Sequence, residues 1–271
     1  MLKVESIVES VKNPITLKDW AIILGASSGF GAATAIALAK AGMDIVGIHL
    51  DRKSTIQNAI DVKNTILNMN RKAIFYNTNA ADISKIDEII SELKNQLGTK
   101  SIRVFLHSIA FGSLRPYIGP DCVSKDQLEM TLDVMANCLV YWVQKLFIND
   151  MFTENARIFA MTSIGSSRNW KSYGPVSASK ALLESHIRQL ALELAPYGIT
   201  ANSICAGVTQ TPALMKIPGH EDMIEKAQKY NPSKRLTTPV DVANAIMLLS
   251  HPSSYWITGN TIYVDGGEFL T

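Results

Sequence analysis

One rhythm constrains this chain more than any other feature. From Trp20 onward, short apolar runs alternate with longer stretches whose apolar residues recur at helical spacing. The strand-like runs fall at 21–24, 44–50, 73–76, 102–107, 157–161, 200–205 and 261–264. Helical patterns lie between them near 30–41, 55–69, 83–97, 124–150, 175–195 and 239–249. Strict alternation predicts a parallel sheet with helices on both faces, because a parallel crossover needs a connection of helix length. Right-handed crossovers leave few topologies. The expected fold is a single-domain α/β structure with a doubly wound sheet of about seven parallel strands.

Several classes of protein drop out on composition. Lys and Arg number 26 against 24 Asp and Glu, a net charge of +2, which argues against a dedicated nucleic-acid binder. Charged residues are 18% and apolar ones 47%, so the chain is no disordered polymer and has a large core to bury. Cys122, Cys138 and Cys205 are odd in number, with no Cys-x-x-Cys and no Cys/His metal spacing. We expect neither a disulfide framework nor a metal site, and a reducing, cytoplasmic location. The first residues carry Lys3, Glu5, Glu9 and Lys12 and have no continuous apolar stretch, unlike a signal peptide. Residues 20–39 are uncharged and long enough to span a bilayer, but three glycines and two serines break their centre. They read as strand, loop and helix, so no membrane segment is expected.

Residues 1–18 read as an N-terminal extension, with Val4, Ile7, Val8 and Val11 at helical spacing, and 19–271 as the nucleotide-binding catalytic domain. Within it, 207–239 breaks the rhythm. Pro212, Pro218, Gly219, Pro232 and Pro239 flank one short helical pattern at 221–230. An insertion beyond a strand's carboxyl end lies where open α/β sheets bind ligands, and this one reads as a substrate lid.

The first strand runs into Gly25-Ala26-Ser27-Ser28-Gly29-Phe30-Gly31 and then an alanine-rich helix. Glycines allow a tight turn and let a pyrophosphate approach the backbone, while the helix N-terminus meets the phosphate charge. The spacing is GxxxGxG rather than the GxGxxG dinucleotide fingerprint. The second strand ends His49-Leu50-Asp51-Arg52-Lys53. An acidic residue there binds adenosine ribose hydroxyls, and basic residues accept a 2′-phosphate. Arg52 and Lys53 favour NADPH, Asp51 favours NADH, and the balance leans to NADPH with NADH left open.

Four further pieces complete a pattern. They are His107-Ser108-Ile109-Ala110-Phe111, Thr162-Ser163-Ile164-Gly165, Tyr173-Gly174-Pro175-Val176-Ser177-Ala178-Ser179-Lys180, and 202–211, which contains Ala206-Gly207-Val208 and Thr211. With the glycine loop and Val264-Asp265-Gly266-Gly267, they resemble the short-chain dehydrogenase/reductase superfamily, whose fold is Rossmann-like. The resemblance runs from about Trp20 to Thr271. Its details are similar to the enoyl-acyl carrier protein reductase branch. Most of the superfamily carries Tyr-xxx-Lys, but the residue four before Lys180 is Val176. The available tyrosine is Tyr173, giving Tyr-x6-Lys. His-Ser-Ile-Ala-Phe and Ala206-Gly207 also replace the superfamily's usual Asn-Asn-Ala-Gly and Pro-Gly, as in that branch. The loop matches branch members that keep GxxxGxG.

The chemistry explains the longer spacing. A ketone reductase delivers hydride to the carbon that bears oxygen. An enoyl reductase delivers it to C3, and charge gathers on the thioester oxygen two carbons away. Seven residues of helix are about two turns, ~10.5 Å of rise, so the donor shifts along the helix and keeps its face. Pro175 favours the first helical turn, which puts Tyr173 just before the helix.

The resemblance implies Tyr173, Lys180 and Ser163 as catalytic residues. Tyr173 would hydrogen-bond the developing enolate oxygen and Lys180 the nicotinamide ribose. Ser163, seventeen residues before Lys180, stands where many enoyl reductases carry a second tyrosine. Cofactor contacts are implied for Gly25, Ser27, Ser28, Gly29, Phe30, Gly31, Asp51, Arg52, Asn79, Ala80, Ser108, Ile109, Ala110, Lys180, Gly207, Val208 and Thr211. His107 reads as a sheet-end residue backing the cofactor. The implied function is NAD(P)H-dependent reduction of enoyl-acyl carrier protein in fatty-acid synthesis, by a homotetramer built through the helices near 124–150 and 175–195. A basic patch for the acidic carrier would come from Lys216, Lys226, Lys229, Lys234 and Arg235. A carbonyl reductase such as a 3-ketoacyl reductase and a non-catalytic NADP-binding regulator are the alternatives.

Overall fold

The computed structural model describes residues 15–271; Val4, Ile7, Val8 and Val11 lie outside the described residues. Seven parallel strands form one sheet: β1 (Trp20–Leu24), β2 (Asp44–His49), β3 (Ala73–Asn77), β4 (Ile102–His107), β5 (Phe152–Ser163), β6 (Thr200–Ala206) and β7 (Thr261–Val264). Their order is β3-β2-β1-β4-β5-β6-β7. The helices are α1 (Gly29–Lys40), α2 (Ile56–Asn68), α3 (Ile83–Leu97), α4 (Lys125–Leu132), α5 (Cys138–Ile148), α6 (Gly174–Leu194), α7 (His220–Tyr230) and α8 (Pro239–Leu249). This is the expected Rossmann-like architecture.

Strand residues alternate between two apolar layers, as the pleat requires. Ile22, Leu24, Phe105 and Ile158 face the layer that holds Trp142 and Leu183, from α5 and α6. Ala21, Ile23, Val104 and Phe159 face the layer that holds Ile36, Val242 and Ile246, from α1 and α8. Every residue of α1 from Gly31 to Ala39 is buried, and its alanines let it pack closely on α8. The uncharged run 20–39 is thus a core strand, a glycine turn and a core helix. Among the described residues no helix is long and apolar enough to cross a membrane.

Two elements differ from expectation. The 124–150 pattern is two helices, α4 and α5, joined by a π turn at Asp133–Asn137. The widened turn presses Met135 and Ala136 into the core, and Cys138 Sγ donates to the Val134 carbonyl at 3.1 Å. β5 begins at Phe152 rather than Arg157. Thr153, Glu154 and Asn155 hide the strand signal, and the pairing with β4 slips there, from Ile102–Phe152 to Val104–Arg157. Arg157 is fully buried: its guanidinium donates to the Asn155, Ala156 and Pro252 carbonyls and to Ser254 Oγ.

β1 and β4 are neighbours, yet the chain leaves them toward opposite edges. Their carboxyl ends therefore flank the switch-point crevice of the sheet.

Candidate active site

The glycine loop fills one side of that crevice. Gly25 has a φ of +87°, and a Cβ there would lie 2.1 Å from the Ser108 carbonyl oxygen. A Cβ on Gly31 would lie 2.1 Å from the Gly25 carbonyl oxygen. Both positions are closed to any side chain. The loop is tied to its neighbours by Gly25 N–H to Ile48 O (2.8 Å) and Ser108 N–H to Leu24 O (2.9 Å). Ser28 precedes α1 in extended conformation, and neither its side chain nor an acidic residue occupies the first turn. The helix N–H groups there are open to an anion, so the cradle fits a dinucleotide pyrophosphate. Ser27, Ser28, Gly29 and Phe30 are all partly exposed on its rim. Gly31→Ala is expected to weaken nucleotide binding by roughly tenfold or more, because a clash of that depth must move the loop. Fluorescence titration with NADPH and NADH checks it.

The end of β2 is more constrained than its sequence suggests. His49 Nδ1 donates to Asp51 Oδ2 at 2.9 Å, and both side chains are buried. Asn77 accepts from Asp51 N–H and donates to Asp51 O, pinning the turn to β3. Arg52 and Lys53 stay exposed. Beyond β3, Asn79 is exposed with its side chain accepting from Ala81 N–H, and Ala80 is buried.

On the other side of the crevice stands the polar cluster. Tyr173 is the residue just before α6, with Pro175 in the first turn. Its ring lies on Gly165, where a Cβ would come within 2.6 Å of the ring and 3.2 Å of Ser163 Oγ. The side chains of Tyr173 and Ser163 meet over Gly165, with their hydroxyls close enough to influence each other. Burial pushes the Tyr173 phenol above its ordinary value, and the neighbouring Ser163 hydroxyl pulls part of that back. Ser163 also accepts from Gly165 N–H at 3.3 Å, and Ser177 donates to the Gly165 carbonyl.

Lys180 is buried and donates to Met161 O at 2.7 Å and Ile109 O at 3.4 Å. Burial lowers its pKa to about 8, opposed by the charge of Glu184. Glu184, one turn along α6, accepts from Thr162 Oγ1 at 2.6 Å. Nothing in the sequence singled it out, although its spacing of four from Lys180 places both on one helix face. His107 lies beneath. It is fully buried, its pKa is pushed down to about 3 by burial and then by Lys180, and its Nε2 lies 3.2 Å from Cys138 Sγ. It is a neutral packed residue.

The 207–239 segment closes the third side. Thr211 rests on the glycine loop: a Cβ on Gly29 would touch its methyl at 3.6 Å. Val208 N–H, expected to face the cofactor, donates to Glu268 Oε2 at 3.0 Å. Asp265 O accepts from buried Asn231, so the turn after β7 grips the segment near both ends. Sequence reasoning missed Glu268. Arg235 forms a two-pronged ion pair with Asp241 at 2.7 and 3.0 Å, so it is no free portal charge.

The structure thus gathers the glycine loop, Thr211 on that loop, and the Ser163–Tyr173 pair with Lys180 around one crevice. The family model described as enoyl-(acyl carrier protein) reductase matches residues 25–268. The chain belongs to this branch of the short-chain dehydrogenase/reductases. This short-chain reductase is 28% identical to an NADH-type enoyl-acyl-carrier-protein reductase of Synechocystis over 69% of its length and 71% of that protein's. It is 27% identical to a 3-oxoacyl-acyl-carrier-protein reductase of Buchnera aphidicola, over 94% of this chain and 98% of that one. The solved enoyl-acyl-carrier-protein reductase (NADH) of Aquifex aeolicus superposes with a TM-score of 0.82 at 21% identity, covering 93% and 97% of the two chains. The protein is an oxidoreductase of this family, and its cradle fits the nicotinamide dinucleotide that the superfamily uses.

Proposed function

We propose that the protein reduces the trans-2 double bond of an enoyl thioester borne on acyl carrier protein, with NADPH as donor. The reading rests on one observation: the half-buried hydroxyl pair is Ser163–Tyr173, while the position four before Lys180 is filled by buried Val176. The hydrogen-bond donor stands just beyond the N-terminal end of α6 instead of on its first turn, a shift that suits reduction at C3 of an enoyl thioester.

Bound nicotinamide cofactor supplies the hydride. The protein's own groups do the rest. Tyr173 donates to the thioester oxygen as negative charge gathers there, an oxyanion-hole role, and Ser163 holds that hydroxyl in place. Lys180 would hold the ribose hydroxyls near the Ile109 carbonyl and keep a positive charge under the site. Gly25, Gly29 and Gly31 would admit the pyrophosphate, Ser108 and Ala110 would back the nicotinamide, and Asn79 and Ala80 would flank the adenosine. NADPH is favoured because Arg52 and Lys53 are free at the rim while Asp51 is held by His49.

The 207–239 segment acts as the lid. Tyr117 covers Gly174, next to the donor, and Phe111, Tyr117 and Ile118 are exposed apolar groups along the approach. They suit an acyl chain. The first turn of α7 is acidic, with Glu221 and Asp222, but its far end presents Lys226 and Lys229, followed by Lys234. An acidic carrier would dock at that end. Met130, Ile148 and Leu192 are exposed on α4, α5 and α6, which supports a tetramer through these helices.

The second reading is a 3-ketoacyl reductase, favoured by the serine–tyrosine pair itself. A cofactor-oxidation assay separates the two. Absorbance loss with a trans-2-enoyl thioester alone is the expected result. Loss with a 3-ketoacyl thioester alone would transfer the protein to the second reading, and binding without turnover of either would leave a regulator. Parallel runs with NADPH and NADH decide the cofactor.

A further inference from the structure

Trp170 lies between the two hydroxyl groups of the site, seven residues after Ser163 and three before Tyr173. The mechanism above gives it no task. Its side chain reaches the lid. The indole N–H donates to Pro218 O at 3.2 Å. Lys226 Nζ stands 5.7 Å from the ring centroid, within cation–π range. Gly219, at a φ of +77°, brings the lid backbone against the ring, and a Cβ there would sit 3.9 Å from the indole.

The backbone of Trp170 reaches the other way. Its carbonyl accepts from Tyr173 N–H at 3.2 Å. The turn so closed holds Ser172 at a φ of +60°, a left-handed conformation that a serine keeps only when its surroundings impose it. Arg168, two residues earlier, sits 5.6 Å over the Phe269 ring. The chain therefore leaves β5 at Ser163, grips the lid and the C-terminal turn, and returns with the Tyr173 amide bound to Trp170.

We propose that Trp170 is a positioning residue that couples the seating of the lid to the placement of the Tyr173 hydroxyl. The inference rests on the lid and donor roles given above. With the lid seated, the indole anchors the turn that fixes Tyr173 against Ser163. With the lid raised, Pro218 and Lys226 are gone and the strained turn loses its outer support. The donor is then in place only when the acyl group is covered, so closure and chemistry are linked.

Two variants test it. Trp170→Phe keeps a ring for Lys226 and loses the N–H; Trp170→Ala loses both. Each is digested with trypsin in saturating NADPH, following cleavage after Lys216, Lys226 and Lys229 in the lid and after Lys63 and Lys94 on distant helices. Steady-state kinetics use whichever thioester the wild-type enzyme reduces. In Trp170→Phe, lid cleavage should rise about fivefold, the population shift of one net hydrogen bond, with cleavage at Lys63 and Lys94 unchanged. The KM for thioester should rise and kcat should fall, with the nucleotide Kd unmoved, and Trp170→Ala should exaggerate each change. Unchanged lid cleavage overturns the inference. So does faster cleavage everywhere, which is plain destabilisation, or a loosened lid with wild-type KM and kcat. Failure of the wild-type enzyme to reduce an enoyl thioester would count against the proposed function alone, since the digestion needs no substrate.

Discussion

Tyr173→Phe should lower kcat with an enoyl thioester by about 10²–10³-fold, the usual cost of removing one oxyanion donor, and leave the nucleotide Kd unchanged. The asymmetry follows from where the ring sits. It packs against Gly165, and phenylalanine fills the same space. Only the hydroxyl is lost, and Ser163 keeps its bond from Gly165 N–H. Single-turnover kinetics with a parallel nucleotide titration read both quantities. Wild-type turnover in this variant would move the donor to Ser163 or Ser177.

Lys180→Met should cost more, because one ammonium serves two purposes. Both turnover and nucleotide affinity are expected to fall by about tenfold or more, since a buried charge that hydrogen-bonds its ligand is lost. The pH dependence gives a separate test. Burial sets the Lys180 pKa in the folded protein at about 8, below its ordinary 10.5. The charged form that favours the nucleotide predominates below pH 8 and is lost above it. Nucleotide affinity of the wild-type protein should weaken as pH rises through about 8, and that limb should be absent in Lys180→Met. Stability of the nucleotide-free protein runs the opposite way. The folded state binds fewer protons than the unfolded one between about pH 8 and 10.5, so this residue's contribution to stability rises across that window. Calorimetry and titration should therefore show opposite slopes.

Local and long-range signals differed sharply in how legible they were. All seven strands announced themselves: central strands such as β1, β2 and β4 are buried on both faces and read as apolar runs, while the edge strands β3 and β7 are only partly buried yet keep short apolar runs. β5 was read short because Thr153, Glu154 and Asn155 interrupt its run where the pairing slips. The break between α4 and α5 had no sequence signal, since the residues of the π turn fit an unbroken helix. In the site, the glycine loop was legible because sterics at Gly25 and Gly31 admit one residue type. Placing Tyr173 just before α6 was legible from Pro175. Glu268 on Val208, Asn231 on Asp265 and Trp170 on Pro218 were not, because each joins segments tens of residues apart. Arg235 was read as a free charge because its partner Asp241 belongs to the next helix.

The grip of the turn after β7 on Val208 and Asn231 bears on how the molecule is born. Residues 261–268 follow β1 to β6 in chain order, and β7 pairs with β6 at the sheet edge beside the Asp265 and Glu268 contacts. The site is therefore finished only after all six earlier strands have been made. A nascent chain with β1 to β6 assembled has its glycine cradle, but not the fastening that holds the far wall.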